Sequence, residues 1–231
     1  MYNHMTQALP TTTIQFPELR LFSRDAHKLR GYFGTFFRER STLLHNHFVN
    51  EHGEDKFRYS YPLVQYKVLH GTPMLLGLGE GSDVLADLFL EVRELNIGGT
   101  FYDIHHKNIE RTNVECGLTE TLHEYIFQSP WFALNQHNFD QYQTLFEKER
   151  LEMLNAILRG NVLSFFKGVG IWLEGRVMTS LRITGEVPLL FKDRSIIGFR
   201  ASFTTNALLP ECIGLGKSVG RGFGSIYPQT R

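Results

Sequence analysis

Mainly apolar and mainly polar residues alternate from residue 176 to residue 184, in the second half of the chain. One parity carries Val177, Thr179, Leu181 and Ile183, and the other carries Arg176, Met178, Ser180, Arg182 and Thr184. A period of two predicts a strand with one buried face. Other extended segments of this half are predicted at 122–132, 187–191, 196–205 and 224–227.

A helical period precedes that strand. Apolar residues recur at helical spacing from Phe139 to Leu158, which predicts one long amphipathic helix. Asn138, with Gln141 three residues later, fits an N-cap with a capping box. Gly160 fits the glycine that follows a helix C-terminus.

The first half has a comparable order of elements. Its predicted strands cover 14–22, 57–68 and 74–79, with a strand or hairpin over 100–114. Helices are predicted from Ser23 to about Leu44 and from Ser82 to Val92, and residues 1–13 form a loose start. Both halves therefore fit β-α-β-β-α-β or a close variant, with a boundary near Gly117.

Composition narrows the class of protein. The 231 residues are 42 % hydrophobic and 21 % charged, as in soluble globular proteins. No apolar run has membrane-spanning length, and the N-terminus lacks the regions of a signal peptide, so we expect a cytoplasmic protein. Cys116 and Cys212 are too few for a disulfide framework or a metal knuckle. A formal net charge of zero argues against a uniformly basic nucleic-acid binder, though not against a local basic face.

Five glycines stand between residues 214 and 224, with Lys217 and Arg221 among them. Gly216-Lys217-Ser218 matches the end of a nucleotide P-loop, but Glu211 occupies the place of its first glycine. An ordinary glycine-rich turn is a second interpretation. The third is a loop whose backbone amides and cations bind an anionic chain.

That loop resembles the signature of the RAMP group of CRISPR-associated proteins, in the form G-x-G-x-x-x-G-x-G-x-G. The repeat-RNA endonucleases of this group, the Cas-six family, have a catalytic histidine after the first helix. In subtype b two histidines stand one residue apart, as His45 and His47 do here. The resemblance implies an α+β fold of two tandem ferredoxin-like (RRM-like) domains. We place these at 1–116, with the histidines, and at 117–231, with the glycine-rich loop.

The implied reaction is metal-independent cleavage of CRISPR repeat RNA by attack of a ribose 2′-hydroxyl, leaving a 5′-hydroxyl and a 2′,3′-cyclic phosphate. Histidine suits both the general base and the general acid because its ordinary pKa lies near neutral pH. Lys56 is a candidate for stabilising the phosphorane and Tyr61 for positioning the phosphate. The structural alternative is that the histidines lie at a frayed helix end and that Lys56 and the tyrosines line a solvated strand.

RNA binding is predicted first at the glycine-rich loop and then at arginines of the predicted strand. The candidates are Gly214, Gly216, Lys217, Ser218, Gly220, Arg221, Gly222, Arg176 and Arg182, followed by Lys192, Arg194 and Arg200. Strand arginines are otherwise the solvent face of a sheet. We expect repeat RNA as the partner, with effector-complex subunits or a second copy of the chain as further candidates. We expect neither a metal nor another cofactor.

Two other classes of protein compete with this one. A non-catalytic RNA-binding RAMP subunit would have no need of the histidine pair. A two-histidine phosphoesterase would use His70-Gly71-Thr72 together with a second element of this kind. His105, His106 and His123 have no cysteine or carboxylate at recognisable metal-ligand spacing.

Overall fold

The computed structural model describes residues 6–36, 47–49, 55–57, 61–191 and 194–229. These residues divide into two compact units. The first unit contains residues 8–114 together with 220–222. The second contains residues 115–219 and those from 223 onward, with the start of the chain up to Gln7.

The first unit is a sheet with two helices. Its elements are β1 (Gln7–Gln15), α1 (Ala26–Phe36), β2 (His47–Val49), β3 (Asp55–Phe57), β4 (Val64–Leu69), β5 (Thr72–Leu78), α2 (Glu80–Phe89), β6 (Glu94–Ile97), β7 (Thr100–Asp103) and the first part of β8 (Asn108–Phe127). The strand order is β4-β5-β1-β8, while β2 pairs with β3 and β6 with β7. The core joins both helices to the sheet, and its centre is Ile14, Leu29, Phe33, Tyr66, Leu75 and Leu85.

The second unit begins with the later part of β8. It continues with α3 (Gln136–Thr144), α4 (Glu147–Gly168), β9 (Thr179–Phe191), β10 (Arg194–Leu208) and β11 (Ile226–Pro228). The strand order is β9-β10-β8-β11. Its core is rich in aromatic rings, including Tyr125, Phe127, Trp131, Phe199 and Phe203. Between β10 and β11 lies a glycine-rich segment with one 3-10 turn, Val219–Arg221.

The predicted α+β class and the two tandem ferredoxin-like arrangements are confirmed. In each unit the first strand lies between the third and the fourth, as the split β-α-β plan requires. Strand β8 serves both units and runs without a break through Gly117. None of the described helices is both long and apolar enough to cross a membrane.

The first strand is not where the sequence analysis placed it. Residues 1–13 were expected to be loose, but β1 covers Gln7–Gln15 and the segment after Pro17 is not a strand. The polar residues of β1 hid this strand from a search for apolar alternation. Thr11 and Thr12 are nevertheless buried. The Thr12 and Ser82 hydroxyl oxygens are 2.7 Å apart, so this hydrogen bond satisfies a threonine that would otherwise favour solvent.

The predicted helix of the second half is in fact two helices. Asn135, not Asn138, is the N-cap of α3, and its side-chain oxygen accepts the Asn138 N–H at 2.7 Å. After a break at Leu145, α4 begins and continues past Gly160. Gly160 does not end it because Val162, Phe165 and Phe166 of the next turns are buried. Burial of those side chains outweighs the cost of a glycine, about 1 kcal/mol.

Three smaller corrections concern strand ends and one aromatic. The predicted strands at 176–184 and 187–191 are the single strand β9, with an irregularity between Arg200 and Ala201 of its partner β10. Of the predicted strand over 57–68, Phe57 ends β3 and the later part is β4, while residues 58–60 lie outside the described residues. The aromatic residue is Trp172, of a type that is usually largely buried: 84 % of it is exposed, because it follows the end of α4 in a loop.

Candidate active site and RNA interface

The predicted catalytic residues follow α1 in the first unit. His45 lies outside the described residues. His47 opens β2 and pairs in register with Phe57, and Lys56 pairs with Phe48 on the same two-stranded ladder. The backbones of His47 and Lys56 are therefore brought to adjacent positions of one hairpin, although they stand nine positions apart in the chain.

Tyr61 lies just before β4, where its phenol has a fixed partner. The Gln65 side-chain amide donates to the Tyr61 hydroxyl oxygen at 2.9 Å and also contacts the Pro62 carbonyl at 3.2 Å. Gln65 itself is fully buried, so it holds the Tyr61 ring against the start of β4. The position of the Tyr61 hydroxyl is thereby fixed next to the start of β4.

Three glycines of the glycine-rich loop allow the chain to pack closely on the second unit. A Cβ at Gly214 would lie 2.5 Å from the Val219 Cβ, and one at Gly216 would lie 2.7 Å from the Phe132 carbonyl oxygen. A Cβ at Gly224 would lie 1.9 Å from the Leu215 carbonyl oxygen, and Gly224 has φ +64°. Only glycine fits such contacts without displacing the neighbouring backbone.

The base of this loop uses its backbone amides internally. The Leu215 N–H donates to the Gly224 carbonyl at 2.9 Å, and the Lys217 N–H donates to the Phe132 carbonyl at 2.8 Å. The Gly224 N–H donates to the Pro130 carbonyl at 3.0 Å. These three amide protons are already bound to carbonyl oxygens, so phosphate binding by loop amides stays a prediction for the other residues of the loop.

The tip of the loop, Gly220–Gly222, packs within the first unit. A Cβ at Gly222 would lie 2.9 Å from the Ala26 Cβ, and one at Gly220 would lie 3.9 Å from a terminal nitrogen of Arg30. Ala26 and Arg30 are one turn apart on α1, so the tip lies along one face of that helix. Arg221, which stands between these two glycines, is thereby carried to the same helix.

Arg30 and Arg221 form a cationic pair at this tip. Burial lowers the pKa of Arg30, and the charge of Arg221 lowers it further. The pair concentrates positive charge where the tip of the loop lies along α1. Sequence reasoning missed Arg30, since an arginine one turn into a helix is ordinary and only the return of the distant loop gives it a role.

The other predicted RNA-binding residues separate from one another. Arg176 precedes β9, so the expectation that Arg176 and Arg182 share a strand face is wrong. Arg182 lies within β9, exposed and directly opposite Ser202 of β10. Lys217 is half-buried, and Ser218 has φ +55°, a left-handed conformation in a residue that is not glycine.

His105 and His106, which follow β7, have a structural role. The backbone N–H groups of His105 and His106 donate to one Glu18 carboxylate oxygen at 2.7 and 3.1 Å. These hydrogen bonds lower the pKa of Glu18. Among the described residues, no three His, Cys, Asp or Glu side chains are grouped so as to hold a metal ion.

Comparison with known proteins identifies the family to which this architecture belongs. A CRISPR-associated nuclease of type IV systems, at 11 % identity and a TM-score of 0.55, shares the fold alone. The family model of the Cas6b N-terminal domain matches residues 7–115, and that of the Cas6b C-terminal domain matches residues 117–229. The chain belongs to the Cas6b family, which confirms the resemblance seen in the histidine pair and the glycine-rich loop.

Solved structures agree with this assignment. A structure described as Cas6b is 33 % identical, with a TM-score of 0.90, and the match covers 96 % of this chain and all of that one. A second, described as the CRISPR RNA processing endoribonuclease Cas6b, is 30 % identical, with a TM-score of 0.75 and the same coverage. The uncharacterized protein MJ0978 of Methanocaldococcus jannaschii is 33 % identical over 142 residues, which are 62 % of this chain and 97 % of that protein.

Proposed function

We propose that this protein is an endoribonuclease that cuts CRISPR precursor RNA within its repeats. The observation that carries the proposal is that Cas6b family models match both halves, while a Cas6b structure described as a CRISPR RNA processing endoribonuclease matches 96 % of the chain. Cleavage is assigned to residues 1–116 and the glycine-rich loop of residues 117–231 to RNA binding. We further assign the protein to the cytoplasm.

The reaction is a transesterification within the RNA. The 2′-oxygen forms a bond to the adjacent phosphorus, and the bond from phosphorus to the 5′-oxygen breaks. The products are a 2′,3′-cyclic phosphate and a 5′-hydroxyl, and no water or metal is consumed. One histidine of the pair His45 and His47 takes the 2′ proton, and the other gives a proton to the leaving oxygen. Each such role typically contributes about 10²–10⁴-fold to the rate.

Charge stabilisation at the phosphate is assigned to cations of the first unit. Lys56 is assigned to this role as a cation of the two-stranded ladder that contains His47, where it pairs in register with Phe48. Arg30 and Arg221 are assigned as a second cationic group, because the tip of the glycine-rich loop lies along the face of α1 that carries Arg30. Tyr61, held by Gln65, is assigned to positioning the scissile phosphate.

The glycine-rich loop has two parts with different roles in this proposal. Its base is a packing element, because Leu215, Lys217 and Gly224 use their amides internally. Its tip presents Arg221 to the RNA backbone. Phosphate contacts of this kind fix the position of the RNA without reading its sequence.

The test is cleavage of the host's repeat RNA in excess EDTA. Wild type is compared with His45→Ala, His47→Ala and the double variant, with His137→Ala in α3 of the second unit as a matched control. We expect one cut by wild type and by the control, and a loss of at least 100-fold in each active-site variant. Binding without cutting by wild type would favour a non-catalytic RNA-binding subunit of an effector complex. Loss of cutting in EDTA that Mg²⁺ restores would contradict the metal-independent reaction.

A further inference from the structure

A cavity of about 550 Å³ opens on one face of the second unit's sheet. Its lining includes Ile126, Gln128, Arg182, Thr184, Arg200 and Ser202. The opposite face of the same strands is covered, since Phe127, Ala201 and Phe203 are buried. The sheet is therefore packed on one side and open on the other, as in the ferredoxin-like domains that bind RNA on a sheet face.

One row of side chains crosses this open face. Ser202 is directly opposite Arg182 on one neighbouring strand and Ile126 on the other, and Ile126 is opposite Tyr227 of β11. Such partners lie about 5 Å apart across adjacent strands. Ile126 and Tyr227 are each 39 % exposed, a large share for apolar and aromatic side chains within a sheet. The row therefore has the Arg182 guanidinium at one end and the Tyr227 ring at the other.

A second cation lies next to this row. Arg200 is exposed on β10, two residues before Ser202, and the Thr184 hydroxyl donates to its backbone carbonyl at 3.1 Å. This contact lies at the irregularity where the register of β9 and β10 shifts. Within the part of the chain that the structure describes, no acidic side chain forms an ion pair with Arg182 or Arg200.

These features define the chemistry of the occupant. Two arginines suit phosphate, because each offers a planar fork of donors. The exposed ring and the isoleucine suit the flat face of a base, and the amides and hydroxyls of the lining suit its edges. A volume of this size is within the usual range for small-ligand pockets, about 300–1,000 Å³, and so accommodates a nucleotide.

We propose that this sheet face is a second RNA-binding site, which holds single-stranded RNA beside the segment that is cut. Arg182 and Arg200 bind its phosphates, and Tyr227 with Ile126 supports a base. The inference rests on the proposed function, since it takes repeat RNA as the ligand. It adds a site far in sequence from the histidines and requires nothing of them.

The test separates a short RNA from extended ones. The short RNA spans the cut, and the extended RNAs add about eight single-stranded nucleotides on its 5′ or its 3′ side, a length typical of one such binding surface. A 2′-deoxy nucleotide at the cut keeps each RNA intact during binding. Wild type is compared with Arg182→Ala, Arg200→Ala, the double variant and Tyr227→Leu. Lys148→Ala, which removes an exposed cation of α4, is the matched control.

We expect one extended RNA to bind wild type more tightly than the short RNA does. Each arginine variant should lose on the order of tenfold in affinity for that RNA, and its salt slope should fall by about 0.7. Affinity for the short RNA should fall less than affinity for the extended RNA, because the short RNA lacks the nucleotides that reach the sheet face. Lys148→Ala should match wild type throughout.

Three results would overturn the inference. The first is an equal affinity of wild type for short and extended RNAs. The second is an arginine variant that binds the extended RNA as wild type does. The third is an equal loss for both RNAs. None of these results would contradict the proposed function. The proposed function fails if wild type cuts no repeat RNA. Binding data alone would then still decide the inference.

Discussion

The two units place different structures between their third and fourth strands. In the first unit this position is α2, which covers the sheet with Leu85 and Leu88. In the second it is the glycine-rich loop, whose only helical part is the 3-10 turn Val219–Arg221. In both, a glycine lets the chain pack against neighbouring backbone. The loop glycines were described above, and in α2 a Cβ at Gly81 would lie 2.4 Å from the Leu63 carbonyl oxygen. The comparison teaches that dense glycine is here first a means of packing, and RNA binding is proposed only for the residues at the tip.

The largest expected effect comes from a substitution that disrupts packing at the base of the glycine-rich loop. Gly224→Ala should lower the free energy of unfolding by about 3 kcal/mol or more, because the new Cβ meets the Leu215 carbonyl and φ is +64°. Gly160→Ala in α4 is the control, since a Cβ there meets nothing within 4 Å and alanine favours a helix. Urea denaturation measures both variants. A Gly224→Ala protein as stable as wild type would contradict the packing role of the base.

The next effect separates the tip from the base. Arg221→Ala should weaken RNA binding and slow cleavage by roughly tenfold. Lys217 belongs to the base of the loop. Lys217→Ala should change RNA affinity and cleavage rate by less than about threefold, because exposed charge contacts are screened by water. Filter binding and single-turnover cleavage at one salt concentration give both numbers.

The same Arg221→Ala variant should melt close to wild type, because Arg221 is only partly buried and substitutions outside a core usually change stability little. Equal losses of RNA binding in the Arg221 and Lys217 variants, or a marked loss of stability in the first, would remove the distinction between tip and base.

A pH effect distinguishes the cores of the two units. In the second unit the Tyr142 phenol donates to Glu186 at 2.6 Å, and burial with this hydrogen bond raises the pKa of Tyr142 to about 12. A raised folded pKa gives stability that is complete below the unfolded value of 10 and lost as the pH rises toward 12. Tyr142→Phe should lose about 1 kcal/mol at neutral pH, and its difference from wild type should close between pH 10 and 12.

Tyr32→Phe in the first unit provides the comparison. The Tyr32 phenol donates to the Glu94 backbone carbonyl at 2.8 Å, and burial raises its pKa as well. Denaturation at a series of pH values measures both variants. A gap between Tyr142→Phe and wild type that stays constant through this range would show that the Tyr142–Glu186 bond is not formed in solution.

The smallest effect concerns the two thiols of the second unit. Cys116 is fully buried in β8, and burial raises its pKa to about 12. Cys212 is partly exposed where the segment after β10 turns. At pH 8 a thiol reagent should modify Cys212 and leave Cys116 unmodified until the protein unfolds, because the thiolate is the reactive form. Mass spectrometry of the digested protein reads both sites.

Sequence reasoning succeeded where side-chain period and glycine spacing are local signals. The alternation around Leu181 predicted β9, and the histidine pair with the loop predicted the family. It failed where tertiary contacts decide, as at Thr12, whose hydroxyl is satisfied by Ser82, and at Gly160, which buried neighbours keep helical. Arg30 could not be predicted as part of the site, because its partner Arg221 is far away in the chain.

The central claim is that the RNA is cut by its own 2′-hydroxyl. The most direct measurement is the chemistry of the ends produced from repeat RNA in excess EDTA, with a matched RNA carrying a single 2′-deoxy nucleotide at the cut. The account predicts a downstream product that polynucleotide kinase can phosphorylate at once, an upstream product ending in a 2′,3′-cyclic phosphate, and no cutting of the deoxy RNA. A 5′-phosphate on the downstream product, or cleavage of the deoxy RNA at the same position, would contradict it.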